Sequence, residues 1–284
     1  MKKSISYWCF PGGLEGAKNI PAAMGEAKAA GFEAIELAVG ETGRLSLKST
    51  RSDCTELRRA ADRAGIEIAG VASGLYWAYN LGSPQAALRR KAESALKKMV
   101  QITAWLGADA LLTIPAAVDV FFDPAAPVVP ADVALERSRS GLQKVLPTAG
   151  KCKVALAIEN VWSKFLYSPT EMREFIDSFR SPWVGSYFDV GNVMAYGYPD
   201  QWIRILGERI KRIHLKDFKV AVGTADGFCD LLEGDVPWPA VVQALKDIGY
   251  DSYLTAEMIP LYPHHPEVRI LNTSNAMDAI LGRK

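Results

Sequence analysis

The sequence predicts an α/β protein, a single (β/α)8 barrel whose site lies at the C-terminal ends of the strands. Three observations predict it. First, helices end in glycine and a strand follows at once: Gly31-Phe-Glu-Ala-Ile, Gly65-Ile-Glu-Ile-Ala, Gly107-Ala-Asp-Ala-Leu and Gly249-Tyr-Asp-Ser-Tyr. Glycine there adopts the left-handed C-cap that other residues resist. Second, several strands are near-continuous apolar runs, as expected of a parallel sheet buried on both faces. Third, four strand-like runs each end on a side chain that can bind a metal: Val154–Ile158 before Glu159, Val184–Phe188 before Asp189, Ile210–Ile213 before His214, and Tyr253–Ala256 before Glu257. Eight helix-plus-strand units of roughly 35 residues account for the 284 residues. An open doubly wound sheet is the alternative. A dinucleotide-binding version would need G-x-G-x-x-G after the first strand, and Phe10-Pro-Gly-Gly-Leu-Glu-Gly16 does not lead into a helix in that pattern.

In chain order, the first strand is expected over Ser4–Phe10, and the first helix follows Pro21 and stops near Gly31. The second strand is Ala34–Val39. The second helix opens at Asp53-Cys-Thr-Glu56, an Asp N-cap with a Glu three residues on. A third strand covers Ile66–Ala72. The next helix opens at Ser83-Pro84, with proline in the first helical position. A strand at Ala110–Ile114 and a Pro-rich loop, Phe121–Pro130, lead to a helix from Pro130-Ala-Asp132. Ser168-Pro-Thr-Glu171 is both a capping box and a proline at N1. Later helices cover about Trp202–Arg209, follow Pro239, and lie within Val268–Leu281. No linker or composition shift interrupts the chain, so residues 1–284 are expected to form one domain.

Bulk composition narrows the function classes. Hydrophobic residues make up 49%, enough for a sizeable core. Charged residues are 23% and the net charge is +1, so no strong field favours nucleic acid or an acidic membrane. The four cysteines, Cys9, Cys54, Cys152 and Cys229, show no CxxC spacing and read as reduced thiols of a cytoplasmic protein. The basic, then apolar start of the chain is too short for a signal peptide and reads as a strand. No run approaches the roughly 20 apolar residues of a membrane span.

One carboxylate after an apolar run means little, since it serves equally as a helix cap or a lysine partner. Four hard-ligand side chains in register at successive strand ends converge on one mouth if the barrel closes. Glu159, Asp189, His214 and Glu257 offer three carboxylates and an imidazole. That set suits one divalent ion, Mn²⁺ first, with Mg²⁺, Zn²⁺ or Co²⁺ as alternatives. Candidate substrate contacts near strand ends are Trp8, Glu36, Trp162, Lys164, Asn192, Lys216 and Lys219. Aromatic faces such as Trp8, Phe10, Trp77 and Trp162 suit the C–H surface of a sugar, and equally suit rim packing. The lysines could hold a phosphate. His264 and His265 fall in a Pro-flanked loop and read as solvated residues.

Ala157-Ile-Glu-Asn160, Phe188-Asp-Val-Gly-Asn192, Arg212-Ile-His-Leu-Lys-Asp217, Glu233-Gly-Asp-Val-Pro-Trp-Pro239 and Leu254-Thr-Ala-Glu257 together resemble the xylose isomerase-like TIM barrels. The resemblance covers the whole chain. It implies a sugar or sugar phosphate isomerase or epimerase, with Glu159, Asp189, His214 and Glu257 on one metal ion. Glu159 and Glu257 are then the acid/base pair of a metal-stabilised enediolate mechanism. Where ketose 3-epimerases carry a second glutamate, a substrate-contacting histidine and an arginine, this chain has Phe165, Asn192 and, as nearest cation, Lys219. The metal centre carries over on this reading, and the free-ketohexose specificity does not.

The leading expectation is therefore an enzyme acting on a small keto sugar or its phosphate, with no nucleic acid or membrane partner. A homo-oligomer stays open. A keto-inositol dehydratase-type lyase begins with the same proton abstraction and is the second reading. An endonuclease IV-like phosphodiesterase needs about three metals with many histidine ligands, and only His214 is well placed. A non-catalytic sugar-binding barrel would be favoured by a lost glutamate, and both are present.

Overall fold

A computed structural model describes residues 1–283. Eight parallel strands close into a barrel: β1 (Lys2–Ser6), β2 (Ala34–Ala38), β3 (Glu67–Ala72), β4 (Ala110–Thr113), β5 (Ala155–Glu159), β6 (Val184–Asp189), β7 (Ile210–Leu215) and, last, Tyr253–Ala256. Two short strands, β8 (Asp217–Phe218) and β9 (Phe228–Cys229), form an antiparallel hairpin before the last stave, which is therefore β10. The helices are α1 (Ile20–Ala29), α2 (Arg51–Ala64), α3 (Leu75–Ala78), α4 (Ala86–Leu106), α5 (Ala131–Cys152), α6 (Pro169–Asp177), α7 (Pro199–Leu206), α8 (Trp238–Asp247) and α9 (Pro266–Ile280). Because β10 pairs with β1, the sheet has no edge and the open doubly wound alternative is excluded. None of the described helices is long and apolar enough to cross a membrane.

The local chemistry explains the boundaries. Gly65 and Gly107 close α2 and α4 in the left-handed region, at φ 66° and 83°. Ser168 and Glu171 form the expected reciprocal box on α6. On α2 the box differs from expectation. Thr50 is the N-cap and Asp53 its N3 partner, so the helix starts earlier than an Asp53 cap would allow. The first strand is also shorter than expected. It ends at Ser6, and Tyr7–Cys9 wind into a 3₁₀ turn whose first donor is accepted by Ser6. Ser83-Pro84 does not open a helix, since α4 begins at Ala86 behind Gln85. The four-residue α3 is too short to show a helical period in sequence.

Two irregularities in the barrel matter for the site. The β2–β3 register shifts between Ile35 and Glu36, and the β6–β7 register between Ser186 and Tyr187. Such bulges re-aim side chains. Here they accompany Glu36 and Tyr187, both fully buried, whose side chains meet in a hydrogen bond from the Tyr187 hydroxyl to the Glu36 carboxylate. Gly70 faces them, and a side chain there would crowd the Tyr187 hydroxyl.

After β7, the chain makes a long excursion to α8 that is knotted on Asp217. Its buried carboxylate accepts from the backbone N–H groups of Phe218, Leu232 and Val236 and from the Trp238 indole, at 2.9–3.1 Å. Gly234 packs so close to that carboxylate that any side chain would collide with it. This gives the Gly-Asp-Val-Pro-Trp motif a physical purpose: it wraps one buried anion. Asp217→Ala strands those donors, each costing about 1–3 kcal/mol if left buried and unpaired. The expected result is a thermal midpoint lowered by at least about 4 °C, read by circular dichroism.

Candidate metal centre

Each candidate ligand closes a buried apolar strand. Glu159 and Asp189 are the last residues of β5 and β6, His214 is the penultimate residue of β7, and Glu257 follows β10 directly. These four strands are neighbours in the ring, and Asp189 and His214 are register partners. Asp189 and His214 are fully buried, and Glu159 and Glu257 are 7% and 4% exposed. One ligand atom from each of the four lies within 4.8 Å of the others. His214 Nδ1 stands 3.5 Å from Glu159 Oε1, 3.5 Å from Glu257 Oε2 and 4.0 Å from Asp189 Oδ2.

The surroundings fix these atoms. Asn160 clamps the Asp189 backbone, donating from Nδ2 to its carbonyl and accepting its N–H, both at 2.8 Å. Asp189 Oδ1 accepts from the Asn192 N–H at 2.7 Å. Asn192 in turn donates its side-chain amide to the Asn160 carbonyl. Its own carbonyl accepts from the Trp162 indole. The sequence reading named Asn192 and Trp162 as substrate contacts. Both line the cavity, and both also brace the ligand set.

Glu36 does not line the cavity. It sits beneath it, with Oε2 2.9 Å from His214 Nε2. When an ion occupies the cluster, a carboxylate there would keep the ring proton on Nε2 and leave the Nδ1 lone pair for the ion. Tyr187, which sequence reasoning missed, holds the same Glu36 oxygen. Glu36→Leu removes this partner while adding no charge. It should weaken divalent-ion affinity about 10–100-fold, measured by chelator competition.

Lys216 is also drawn in. Its ammonium lies 2.5 Å from Glu257 Oε2 and 3.1 Å from Asp189 Oδ2. The other two lysines stay out. Lys164 is exposed and paired with Asp119 at 2.6 Å, and Lys219 is exposed beyond β8. Trp8 lines the mouth, while Phe10 is buried in the core and Phe165 packs against Phe175.

Electrostatics follow from this crowding. Burial pushes the Glu159 carboxyl up to about 7, against the pull of His214. Burial also raises Asp189 despite Lys216 and His214. It acts in the same sense on Glu257, but Lys216 and His214 overcome it and hold that carboxyl below its ordinary value. Burial works against charge on His214, and the Glu36 and Glu257 carboxylates reverse that, placing the imidazole well above its usual value.

The donor set passes a direct test for a cation. Asp189 Oδ2 and Glu257 Oε2 meet the Lys216 ammonium, while His214 Nδ1 is buried, faces the carboxylates of Glu159, Asp189 and Glu257 at 3.5–4.0 Å and has no hydrogen-bond partner. Lone pairs left so are costly unless something positive accepts them. The three carboxylates of the cluster outnumber the Lys216 ammonium, which leaves it suited to a further cation. Three oxygens and one imidazole nitrogen fit first-row divalent ions and Mg²⁺.

Comparison with known proteins agrees with this architecture. The family model described as xylose isomerase-like TIM barrel matches residues 24–273. A putative L-ribulose-5-phosphate 3-epimerase SgbU of Escherichia coli (strain K12) is 28% identical over 260 residues, covering 89% of this chain and 88% of that protein. The structure of an L-ribulose 3-epimerase superposes with TM-score 0.80 at 17% identity, over 99% of this chain and 95% of that one. The IolI protein, solved with a bound zinc atom, gives TM-score 0.77 at 15% identity, over 100% and 99%. The chain belongs to the xylose isomerase-like TIM-barrel family.

Proposed function

We propose that the protein is a divalent-metal-dependent epimerase of a keto sugar, with Glu159 and Glu257 as its proton carriers. The observation that carries the reading is a division within the ligand cluster. Asp189 and His214 are sealed beneath the floor, whereas Glu159 and Glu257 also line the cavity above it. Those two can touch both an ion and a substrate.

Glu159, Asp189, His214 and Glu257 would hold a divalent ion, whose positive charge would acidify the C–H beside the substrate carbonyl. Mn²⁺ is the first ion to test, followed by Mg²⁺, Zn²⁺ and Co²⁺. Glu159 and Glu257 stand on β5 and β10, three staves apart in the ring. They approach a central sugar from different sides. One removes the proton from one face and the other returns a proton to the opposite face, which inverts the centre. Trp8 and Trp162 flank the space with apolar ring surface, which suits the C–H side of a sugar and limits water.

Metal-loaded enzyme incubated in D₂O with ketoses and ketose phosphates should place one deuterium at the carbon beside the carbonyl and yield the epimer, both read by NMR. Loss of water with formation of an enone would make it a lyase. No exchange across the panel would overturn the proposal.

A further inference from the structure

We propose that the cavity selects an uncharged keto sugar carrying an apolar substituent at the end remote from the reacting carbon, in preference to a sugar phosphate. This rests on the epimerase reading for where the reacting carbon lies.

The cavity encloses about 940 Å³, near the top of the roughly 300–1,000 Å³ range of sites for drug-sized ligands. A free ketose fills a small part of that. The remaining wall is an arc of aromatic rings that starts at the metal floor. The Phe228 ring lies 5.4 Å from Lys216 Nζ. From Phe228 the arc passes to Trp162 at 5.2 Å between centroids, then Phe121 at 5.9 Å, Phe122 at 5.1 Å and Trp77 at 5.1 Å. A sugar with its reacting carbon between Glu159 and Glu257 would extend its far end along these rings. Phe121 and Phe122 remain 48% and 54% exposed, and Leu14, also lining the cavity, is 51% exposed. Apolar surface gathered around one mouth marks a binding site.

Charge points the same way. Among the described lining residues Lys216 is the one cation, and Asp189 and Glu257 already engage it. Two further acidic residues line the cavity, Glu15 and Glu41, the latter paired with Lys91 at 3.0 Å. A phosphate needs cations or open backbone amides. The N–H groups of Gly13, Gly16 and Gly40 in the lining loops are spent on the carbonyls of Phe10, Gly13 and Leu45. Lys164 and Lys219, the sequence candidates for a phosphate, stand outside the lining. A dianion would therefore enter against negative charge, with apolar rings as its neighbours.

The test is titration calorimetry of the Mn²⁺-loaded protein with L-ribulose, L-ribulose 5-phosphate and 5-O-benzyl-L-ribulose, and with D-fructose, its 6-phosphate and its 6-O-benzyl ether. In at least one series the benzyl ether should bind tenfold or more tighter than its parent, and the phosphate no tighter than its parent. Phe121→Ala with Phe122→Ala, at two half-exposed positions, should bring the benzyl ether down to the parent's affinity, with folding checked by thermal melt. A phosphate that binds tighter than its parent, a benzyl ether with no gain in either series, a gain that survives the double substitution, or no binding by any probe would overturn the inference. The affinity ranking does not depend on whether the sugar turns over, since each titration is read at equilibrium. Failure of the epimerase reading therefore shows in deuterium exchange, and failure of this inference shows in the affinity ranking.

Discussion

Glu159→Gln and Glu257→Gln, each loaded with metal and shown to bind substrate, are expected to turn over at least about 10²-fold more slowly than the parent, with 10⁴-fold within reach. Glutamine matches glutamate in shape and keeps one ligand oxygen, so positioning is largely retained. What it loses is the capacity to take up a proton. Because both residues also belong to the ligand cluster, metal content must be measured in each variant. A Gln variant that retains the ion and substrate affinity but turns over near the parental rate would leave that glutamate as a ligand only. The two substitutions should also differ from each other. Lys216 contacts both Glu257 and Asp189, hence Glu257→Gln removes the nearer of its two carboxylate partners within the cluster. Its metal affinity should fall further than that of Glu159→Gln.

Chelation should reduce turnover by at least about 10²–10³-fold, the loss that follows removal of one preorganised group facing developing negative charge. Re-addition of Mn²⁺ should restore it. A second readout is independent of activity. An ion that binds the folded chain raises stability by about 2.7 kcal/mol at one hundred times its dissociation constant. The melting temperature should therefore climb with added Mn²⁺ and fall back with chelator. Unchanged turnover and an unchanged melt after verified metal removal would sink the metal assignment.

The convergence of Glu159, Asp189, His214 and Glu257 was legible because each stands at the end of a run of buried apolar residues, and a closed parallel barrel brings such ends together. Gly65 and Gly107 were legible for an equally local reason, the left-handed backbone they allow. What failed was chemistry that depends on distant partners or competing local ones. Asp53 looked like a cap until Thr50 supplied a better one. Glu36 ends a strand and was expected near a sugar hydroxyl, yet a bulge beside it accompanies a side chain pointed at His214 on the far side of the barrel. Lys164 and Lys216 look alike in sequence. One finds Asp119 at the surface and the other is pulled into the carboxylate cluster, and nothing local separates them. The aromatic arc was hidden too, since it joins a Pro-rich loop, a hairpin and a four-residue helix far apart in the chain.

The ring order has a consequence for how such a protein can change. All four candidate ligands stand on or just after β5, β6, β7 and β10, one continuous half of the barrel. Much of the cavity wall comes from loops after the other half: Trp8 and Leu14 after β1, Glu41 after β2, Trp77 after β3, Phe121 and Phe122 after β4. On the proposed function, chemistry and selectivity would thus rest on largely separate blocks of sequence. Residues 7–19, 39–50, 73–85 and 114–130 could be exchanged for those of another barrel to recruit a new substrate while the reaction stays the same.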